Sequence, residues 1–368
     1  MKSIPHILTA FCLTAFVIAY DCPLPRCESC LPASVREAPG VGFELTISYG
    51  TASVEHHNGT IDHIALAPAT SEYTALLTKL SLTTHSPSSN FVSRIRRRLN
   101  KRLGRPATPA VGILSTLLST LHASTEAHLS SSLDRVVVTT PQFPGLTRED
   151  VQDAIEYSGL RSWLEYPLPY PTMLYALNAA YAGNGRGLCK QWRDPYACWE
   201  EAEEGEIPLE TVLGVTYTNE TLGAAIARVG YAFETTGDWH AVWPDLGWKE
   251  KRKIDEKEED GYWRDVGMRV RSFVQELEAK SRKISALVLM GENAGMQEFQ
   301  DALKGALAMS RVEDMQVSAA VDPTWAASVG AAMYARVRQE VPWNCREPKR
   351  CDEIRMTVKG ADKSKIEL

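Results

Sequence analysis

Two successive series of alternating strand and helix patterns constrain the fold of this chain more than any other feature. In the first series, residues 135–140 (RVVVTT) form a short apolar run closed by Pro141, which is typical of a strand buried on both faces. In the second series, residues 284–290 (ISALVLM) repeat this pattern, and Gly291 begins the turn that follows. Alternating strands and helices predict an α/β protein, and their repetition predicts two related lobes.

Helical periodicity separates these strands. One apolar stripe keeps the i, i+3, i+4, i+7 spacing of a buried helix face and contains Leu114, Leu117, Leu118 and Leu121. Thr147 is a predicted N-cap, and Gly159 can end the helix that Thr147 begins. A last helix, 325–337, is rich in small residues, so we expect Gly330 to permit the close approach of another backbone.

A hairpin pattern opens the first series. Residues 43–54 predict a strand, and residues 61–67 predict its return after an Asn58-Gly59 turn. This pairing places His56 and His63 on one face as diagonal neighbours. Two imidazoles can begin a metal site, but no third ligand accompanies them. We therefore interpret this face as an exposed hairpin surface and predict no metal.

The most basic segment is 94–105 (RIRRRLNKRLGR). Its Ile95, Leu99 and Leu103 recur every four residues, so the Arg and Lys side chains fall on the other faces of a short helix. We interpret these charges as a solvated helix face. A patch for an anionic ligand is the alternative.

Residues 1–19 have the pattern of a signal peptide. Lys2 precedes an apolar run at 7–19, which is too short to span a membrane and ends in small residues typical of a cleavage site. We therefore predict a secreted protein without a membrane span. In an oxidising compartment, close spacing predicts two local disulfides, whose candidate members are Cys189, Cys198, Cys345 and Cys351.

Further features of the chain agree with secretion. The connectivity of Cys22, Cys27 and Cys30 stays open, because three cysteines leave one odd thiol. Asn58 and Asn219 each begin an N-glycosylation sequon, which secretion makes usable.

Composition limits the partners. Forty basic and 46 acidic residues give a net charge of −6, which argues against a general surface field that attracts nucleic acid or anionic membrane. The chain has no G-x-S-x-G and no H-E-x-x-H motif, so serine-hydrolase and zinc-protease activities lack support. We expect a protein or small-molecule partner. One candidate recognition patch lies in a Gly-, Cys- and Glu-rich insertion and consists of Trp192, Tyr196 and Trp199.

The order of these segments resembles the nucleotide-binding domain of the seventy-kilodalton heat-shock chaperones, members of the actin-like ATPase superfamily. Residues 43–65 are similar to that family's first phosphate-loop hairpin, and residues 287–303 (LVLMGENAGMQEFQDAL) are similar to its adenosine-loop segment. Residues 170–172 (YPT) and 327–335 (ASVGAAMYA) resemble its two connecting segments. The resemblance implies an actin-like fold, which is a duplicated ribonuclease H-like α/β fold of two lobes.

The resemblance also implies candidate nucleotide-cleft positions, which are Gly50, Thr51, Thr221 and Gly291. Around them the family's pattern is degraded. Ser48 stands where the family has an Asp that helps hold hydrated magnesium, and the glycines expected before Thr221 are absent. Glu220 and Glu292 add negative charge where phosphate and nucleoside are expected. A glycan on Asn219 would occupy the same turn.

These departures predict a secreted pseudo-ATPase, which serves as a binding or scaffold module without ATP hydrolysis and without a cofactor. The alternative is a divergent ATP-binding, chaperone-like ATPase of the secretory pathway, which would use ATP and Mg²⁺. The ending 365–368 (KIEL) loosely resembles a retention signal, so the lumen of the endoplasmic reticulum is an alternative location.

Predicted boundaries follow from these patterns. They are a signal peptide at 1–19, a Cys- and Pro-rich leader at 20–41, a first lobe at 42–182, a disulfide-looped insertion at 183–209, a second lobe at 210–340 and a Cys-containing tail at 341–368. The two lobes occupy most of the chain, so we expect no separate peptide-binding domain.

Overall fold

Two mixed β-sheets form the framework of the protein, for which we use a computed structural model. The structure describes residues 37–85, 91–164, 173–193, 198, 201, 205, 207–233, 239–279, 283–308, 316–318 and 320–340. These residues lie in one compact unit that spans Ser34–Trp343. The predicted signal peptide, most of the leader, the 170–172 segment and the tail lie outside the described residues. Within the described part of the chain, no helix is long and apolar enough to cross a membrane.

The first sheet combines an antiparallel hairpin series with two parallel strands. Its strands are β1 (Gly40–Leu45), β2 (Tyr49–Glu55), β3 (Ile61–Pro68), β4 (Arg135–Thr140) and β5 (Arg161–Ser162), with β6 (Leu174–Tyr175) pairing beside β4. Their order in the sheet is β3-β2-β1-β4-β5. The first three strands pair antiparallel, whereas β4 runs parallel to β1 and β5 runs parallel to β4.

The second sheet repeats this topology. Its strands are β7 (Glu210–Tyr217), β8 (Leu222–Val229), β9 (Trp239–Trp243), β10 (Ala286–Met290) and β11 (Gln316–Ser318). Read from the other edge, their order is β9-β8-β7-β10-β11, again with three antiparallel strands followed by two parallel ones. The repeated strand order confirms the predicted α/β fold of two ribonuclease H-like halves, which is the actin-like arrangement.

Nine α-helices occur among the described residues. They are α1 (Ser71–Ser81), α2 (Phe91–Arg102), α3 (Pro109–Leu129), α4 (Arg148–Tyr157), α5 (Ala176–Gly183), α6 (Trp248–Lys251), α7 (Glu259–Glu278), α8 (Gln297–Ala308) and α9 (Ala326–Glu340). Short 3₁₀ turns lie at Pro244–Leu246 and Glu256–Glu258. The predicted leucine stripe of α3 is buried. Thr147 caps α4 by accepting a hydrogen bond from the Asp150 N–H, and Gly159 follows that helix with a φ of +80°.

Three hydrophobic cores divide the structure into layers. Helices α1, α3 and α4 cover one face of the first sheet. Helices α7 and α8 cover one face of the second sheet. The central core lies between the sheets and is formed mainly by α5 and α9, with contributions from β4, β7 and β10. The two sheets are therefore joined through a pair of small-residue helices.

Glycines allow α5 and α9 to cross in direct backbone contact. A Cβ atom on Gly330 would lie 1.8 Å from the Ala179 carbonyl oxygen, and one on Gly183 would lie 2.2 Å from the Ala326 carbonyl oxygen. The predicted close approach at Gly330 is confirmed. Helix α9 also lies against the first sheet, because a Cβ on Gly42 would lie 2.1 Å from the Ala332 nitrogen. The predicted end of the second lobe at residue 340 stays a prediction.

The β2–β3 hairpin has a different register from the predicted one. The His56 N–H donates to the Thr60 carbonyl at 2.8 Å, so three residues rather than two form the loop. A one-residue shift reverses which face a side chain occupies. His56 therefore shares a face with Asp62, 2.8 Å away, while His63 stacks on Trp325 on the opposite face. The prediction that both histidines share one face is wrong. Within the described residues, no group of three or more candidate ligands is placed to hold a metal.

Candidate binding cleft between the two sheets

The turn between β1 and β2 is the first element of the cleft. It consists of residues 46–48, whereas the sequence predicts one continuous strand over 43–54. Thr46 supplies the turn chemistry with its side chain. Its Oγ1 donates to the Tyr49 carbonyl at 2.8 Å and accepts from the Ser48 and Tyr49 N–H groups at 3.2 and 3.0 Å. A threonine side chain thus replaces the glycine or asparagine that usually indicates a turn.

This turn changes the interpretation of the first candidate positions. Gly50 and Thr51 lie inside β2, beyond the turn. A Cβ on Gly50 would lie 3.0 Å from the Leu121 side chain. The absence of a side chain at Gly50 therefore allows α3 to pack closely against β2. Thr51 is buried, and its Oγ1 donates to a Glu44 carboxylate oxygen at 3.3 Å. Neither residue lies on the β1–β2 turn itself.

The equivalent turn of the second sheet follows β7 and contains Thr221. It is closed by the Thr218 N–H, which donates to the Thr221 carbonyl at 2.9 Å. The Thr221 N–H returns a hydrogen bond to the Thr218 Oγ1 at 3.0 Å. Both threonines are buried. The turn's backbone donors are therefore partly used within the turn, in place of the open glycine-rich loop of the resembled family.

Gly291 occupies a position that only glycine fits. Its φ is +101°, and a Cβ would lie 2.4 Å from the Tyr217 carbonyl oxygen. Gly291 follows β10, whose last residue Met290 pairs with Thr216 near the end of β7, whereas Gly50 and Thr51 lie in the first sheet. The residue after Gly291 carries the side chain that joins the two sheets.

Glu292 connects the two hairpin turns directly. Its Oε1 accepts a hydrogen bond from the Ser48 hydroxyl at 2.8 Å and another from the Asn219 N–H at 2.8 Å. Asn293 adds a side-chain bond to Asn219 at 3.3 Å. The sequence places Glu292 where adenine and ribose would lie, but its carboxylate instead reaches the two turns. An anionic group of the protein thus lies between the loops that hold phosphate in the resembled family.

Burial makes this carboxylate costly to ionise. It raises the pKa of Glu292, while the hydrogen bonds from Asn219 and Ser48 oppose the shift. The second oxygen, Oε2, is buried and has no hydrogen-bond partner among the described residues. Glu220 lies close enough for its charge to raise the pKa of Glu292 further. Glu220 is itself ion-paired with Lys249, so its predicted negative charge is partly neutralised.

Glu44 is the functional candidate that sequence reasoning missed. It is the penultimate residue of β1 and lies just before the β1–β2 turn that contains Ser48. Its side chain is 2% exposed. Burial raises its pKa to about 8, the hydrogen bond from Thr51 lowers it and the charge of Glu292 raises it. A signal was present in the sequence, since Glu44 is an acidic residue within an otherwise apolar strand.

A cavity of about 60 Å³ lies beside Glu44. Its polar wall includes Glu44, Thr218 and Thr221, and its apolar wall includes Phe143 and Ile226. Since one water occupies roughly 10–15 Å³ on this measure, the cavity has room for about four to six waters.

These observations test whether the residues fit Mg·ATP, which the fold family implies. Glu292 lies between the two turns, and its carboxyl group accepts a hydrogen bond from each of them. Burial raises the pKa of Glu44, so ionising it to hold hydrated magnesium would cost free energy. The residues in this arrangement do not fit Mg·ATP.

The insertion packs beside the first sheet. Cys189 and Cys198 are disulfide-bonded, with their Cα atoms 5.3 Å apart. Trp192 packs against the central core, and Arg193 stacks on it while pairing with the buried Glu55 at 2.5 Å. The other residues named as a recognition patch or a second disulfide lie outside the described part of the chain, and they are Tyr196, Trp199, Cys345 and Cys351.

Comparisons with known proteins give a similar solved structure but no matching family. No family model matches the chain, and no curated protein matches it. Among solved structures, the chain is similar to the ethanolamine utilization protein EutJ from Carboxydothermus hydrogenoformans, which was determined by crystallography. The similarity covers 83% of this chain and 91% of EutJ at 15% identity, with a TM-score of 0.46. The fold assignment rests on the repeated strand order of the two sheets.

Proposed function

We propose that this protein is a pseudo-ATPase, a binding or scaffold module that uses the actin-like fold without ATP hydrolysis. The observation that carries the proposal is the position of the Glu292 carboxylate, which accepts hydrogen bonds from both hairpin turns. In this position Glu292 takes the donors that an anionic ligand would need. It also holds the two turns together without a nucleotide.

Electrostatics supports the same proposal. Two buried carboxyl groups, Glu44 and Glu292, lie close enough for the charge of Glu292 to raise the pKa of Glu44. A bound triphosphate would place negative charge beside both carboxyl groups and would oppose their ionisation where water is excluded. A neutral or cationic partner suits this cleft better than an anionic one.

Secretion is part of the proposal. The Cys189–Cys198 disulfide supports it, because disulfides persist mainly in oxidising compartments. The sequon at Asn58 supports it as well, since Asn58 is exposed at the tip of the β2–β3 hairpin. Asn219 is half-buried and hydrogen-bonded to Asn293, so we assign glycosylation to Asn58 before Asn219.

One observation favours a second candidate, a divergent ATPase of the secretory pathway that uses ATP and Mg²⁺. Glu44 places a carboxyl group in the cavity wall beside β2, where it accepts a hydrogen bond from Thr51. Deprotonation of Glu44 would create the anionic partner that Ser48 does not supply. This candidate requires the Glu292 bridge to open and Glu44 to ionise.

Phosphate release separates the two candidates. We expect the purified full chain, incubated with ATP and Mg²⁺ at pH 7, to release no phosphate above the protein-free background. The Glu44→Gln variant should behave identically, because Glu44 is mostly neutral already at this pH. Release by the wild type that Glu44→Gln abolishes would contradict the pseudo-ATPase and establish the second candidate.

A further inference from the structure

Helix α2 is attached to the protein without burying any of its residues. Its contacts are polar. Arg97 pairs with Asp150 at 3.1 Å and also with Asp153, while Lys101 pairs with Asp153 at 2.6 Å. Asn100 donates to the Ala107 carbonyl at 3.2 Å. The helix is therefore held against α4 by charged and polar side chains along one of its faces.

The opposite face of α2 is apolar and open. Because an α-helix makes one turn in 3.6 residues, Ile95 and Leu99 point away from the side that carries Arg97. The exposed apolar residues are between 49% and 71% exposed, and they are Phe91, Val92, Ile95, Leu99 and Leu103. The periodicity of this segment is thus confirmed, but its apolar stripe faces outward. A continuous exposed stripe of this kind indicates an interaction surface.

Basic residues border the stripe. The helix has six Arg and Lys residues and no acidic one. Arg94, Arg98 and Arg102 follow one another at intervals of four residues along one side, and Arg96 lies on the other. All four are exposed. Like charges four residues apart destabilise a helix, and a negatively charged partner relieves that repulsion.

We propose that α2 is an interfacial helix that binds an anionic lipid surface, with its apolar stripe inserted among the lipid chains and its arginines on the headgroups. An exposed apolar face bordered by Arg and Lys is what such binding requires. This inference is independent of the pseudo-ATPase proposal, because α2 contributes nothing to the cleft.

The way in which α2 is attached to α4 favours a flat lipid surface over other binding partners. A protein that binds helices in a groove contacts them from several sides, but Arg97 and Lys101 hold one side of α2 against α4. A second copy of the chain would bring the same row of arginines against itself. A bilayer contacts one side of the helix only and supplies the opposite charge.

Vesicle flotation tests this proposal with the full chain. We expect binding to vesicles of phosphatidylserine and phosphatidylcholine, with little binding to phosphatidylcholine alone and weaker binding at high salt. Removing two inserted side chains in Ile95→Ser/Leu99→Ser should weaken binding to the anionic vesicles by more than about 10-fold. Arg94→Gln/Arg98→Gln should weaken it by about 10-fold.

Matched controls use apolar residues that are equally exposed elsewhere. Met268→Ser on α7 and Leu66→Ser on β3 replace side chains that are 51% and 47% exposed, and they should leave vesicle binding unchanged. The proposal is overturned if the wild type does not prefer anionic vesicles, or if the controls weaken binding as much as Ile95→Ser/Leu99→Ser does.

Two further outcomes identify other partners and also overturn the proposal. Self-association that Ile95→Ser/Leu99→Ser abolishes in gel filtration would assign the stripe to a second copy. The second outcome would be that α2 binds polyglutamate or heparin through its arginines, while Ile95→Ser/Leu99→Ser leaves vesicle binding unchanged. This result would mean that α2 binds polyanions by charge alone and inserts no side chain into lipid.

Discussion

Replacing Gly330 by alanine is expected to destabilise the protein by at least about 3 kcal/mol. The new Cβ would lie 1.8 Å from the Ala179 carbonyl oxygen and 2.5 Å from its carbonyl carbon. Both atoms belong to the backbone of α5, so no side-chain rotation relieves the clash. The crossing helices must separate, and they form the core between the two sheets. Urea unfolding followed by circular dichroism measures the loss.

Gly305 provides a matched control for this substitution. It also lies inside a helix, α8, but a Cβ there would meet no atom within 4 Å. Gly305→Ala is therefore expected to stabilise the protein by about 0.5–1 kcal/mol, because alanine has the higher helix propensity. Equal stability for Gly330→Ala and Gly305→Ala would mean that α5 and α9 do not cross at this distance.

The second large effect concerns pH and Glu44. Its folded-state pKa is raised from 4.5 to about 8, so the folded protein holds a proton that the unfolded chain releases. Its contribution to stability is complete below pH 4.5 and is lost as the pH rises toward 8. At about 1.4 kcal/mol for each pKa unit, the loss between pH 5 and pH 8 is on the order of 3 kcal/mol.

The Glu44→Gln variant removes this dependence while keeping the side chain's shape and an acceptor for Thr51. It should match the wild type within about 1 kcal/mol at pH 5 and exceed it by on the order of 3 kcal/mol at pH 8. Unfolding free energies measured at both pH values test the prediction. A variant that is less stable than the wild type at pH 8 would show that Glu44 is ionised in the folded state.

Much of the fold follows from patterns of apolar and small residues. A 3.6-residue period of leucines predicts the buried face of α3, and a short apolar run predicts the buried strand β4. A glycine in a helix of small residues predicts the close backbone contact at Gly330. The β1–β2 turn was missed because it contains no glycine, asparagine or proline. Thr46 closes the turn by side-chain hydrogen bonds. Threonine also occurs at many positions outside turns, so its presence does not indicate one.

The cleft was less predictable for a different reason. Glu292 is recognisable in the sequence as the residue after Gly291, but its partner Ser48 is 244 residues away. Which donors a carboxylate reaches depends on how the two sheets face each other, and no local pattern encodes that. The exposed stripe of α2 has a similar origin, because periodicity defines the faces of a helix but not which of them packs.

Isothermal titration of the full chain with Mg·ATP tests the central claim most directly. If Glu292 takes the place of an anionic ligand between the two turns, the titration should give no heat beyond dilution, which corresponds to a Kd weaker than about 1 mM. Saturable binding in the micromolar range would contradict the account, since it would require the Ser48–Glu292–Asn219 bridge to give way to nucleotide.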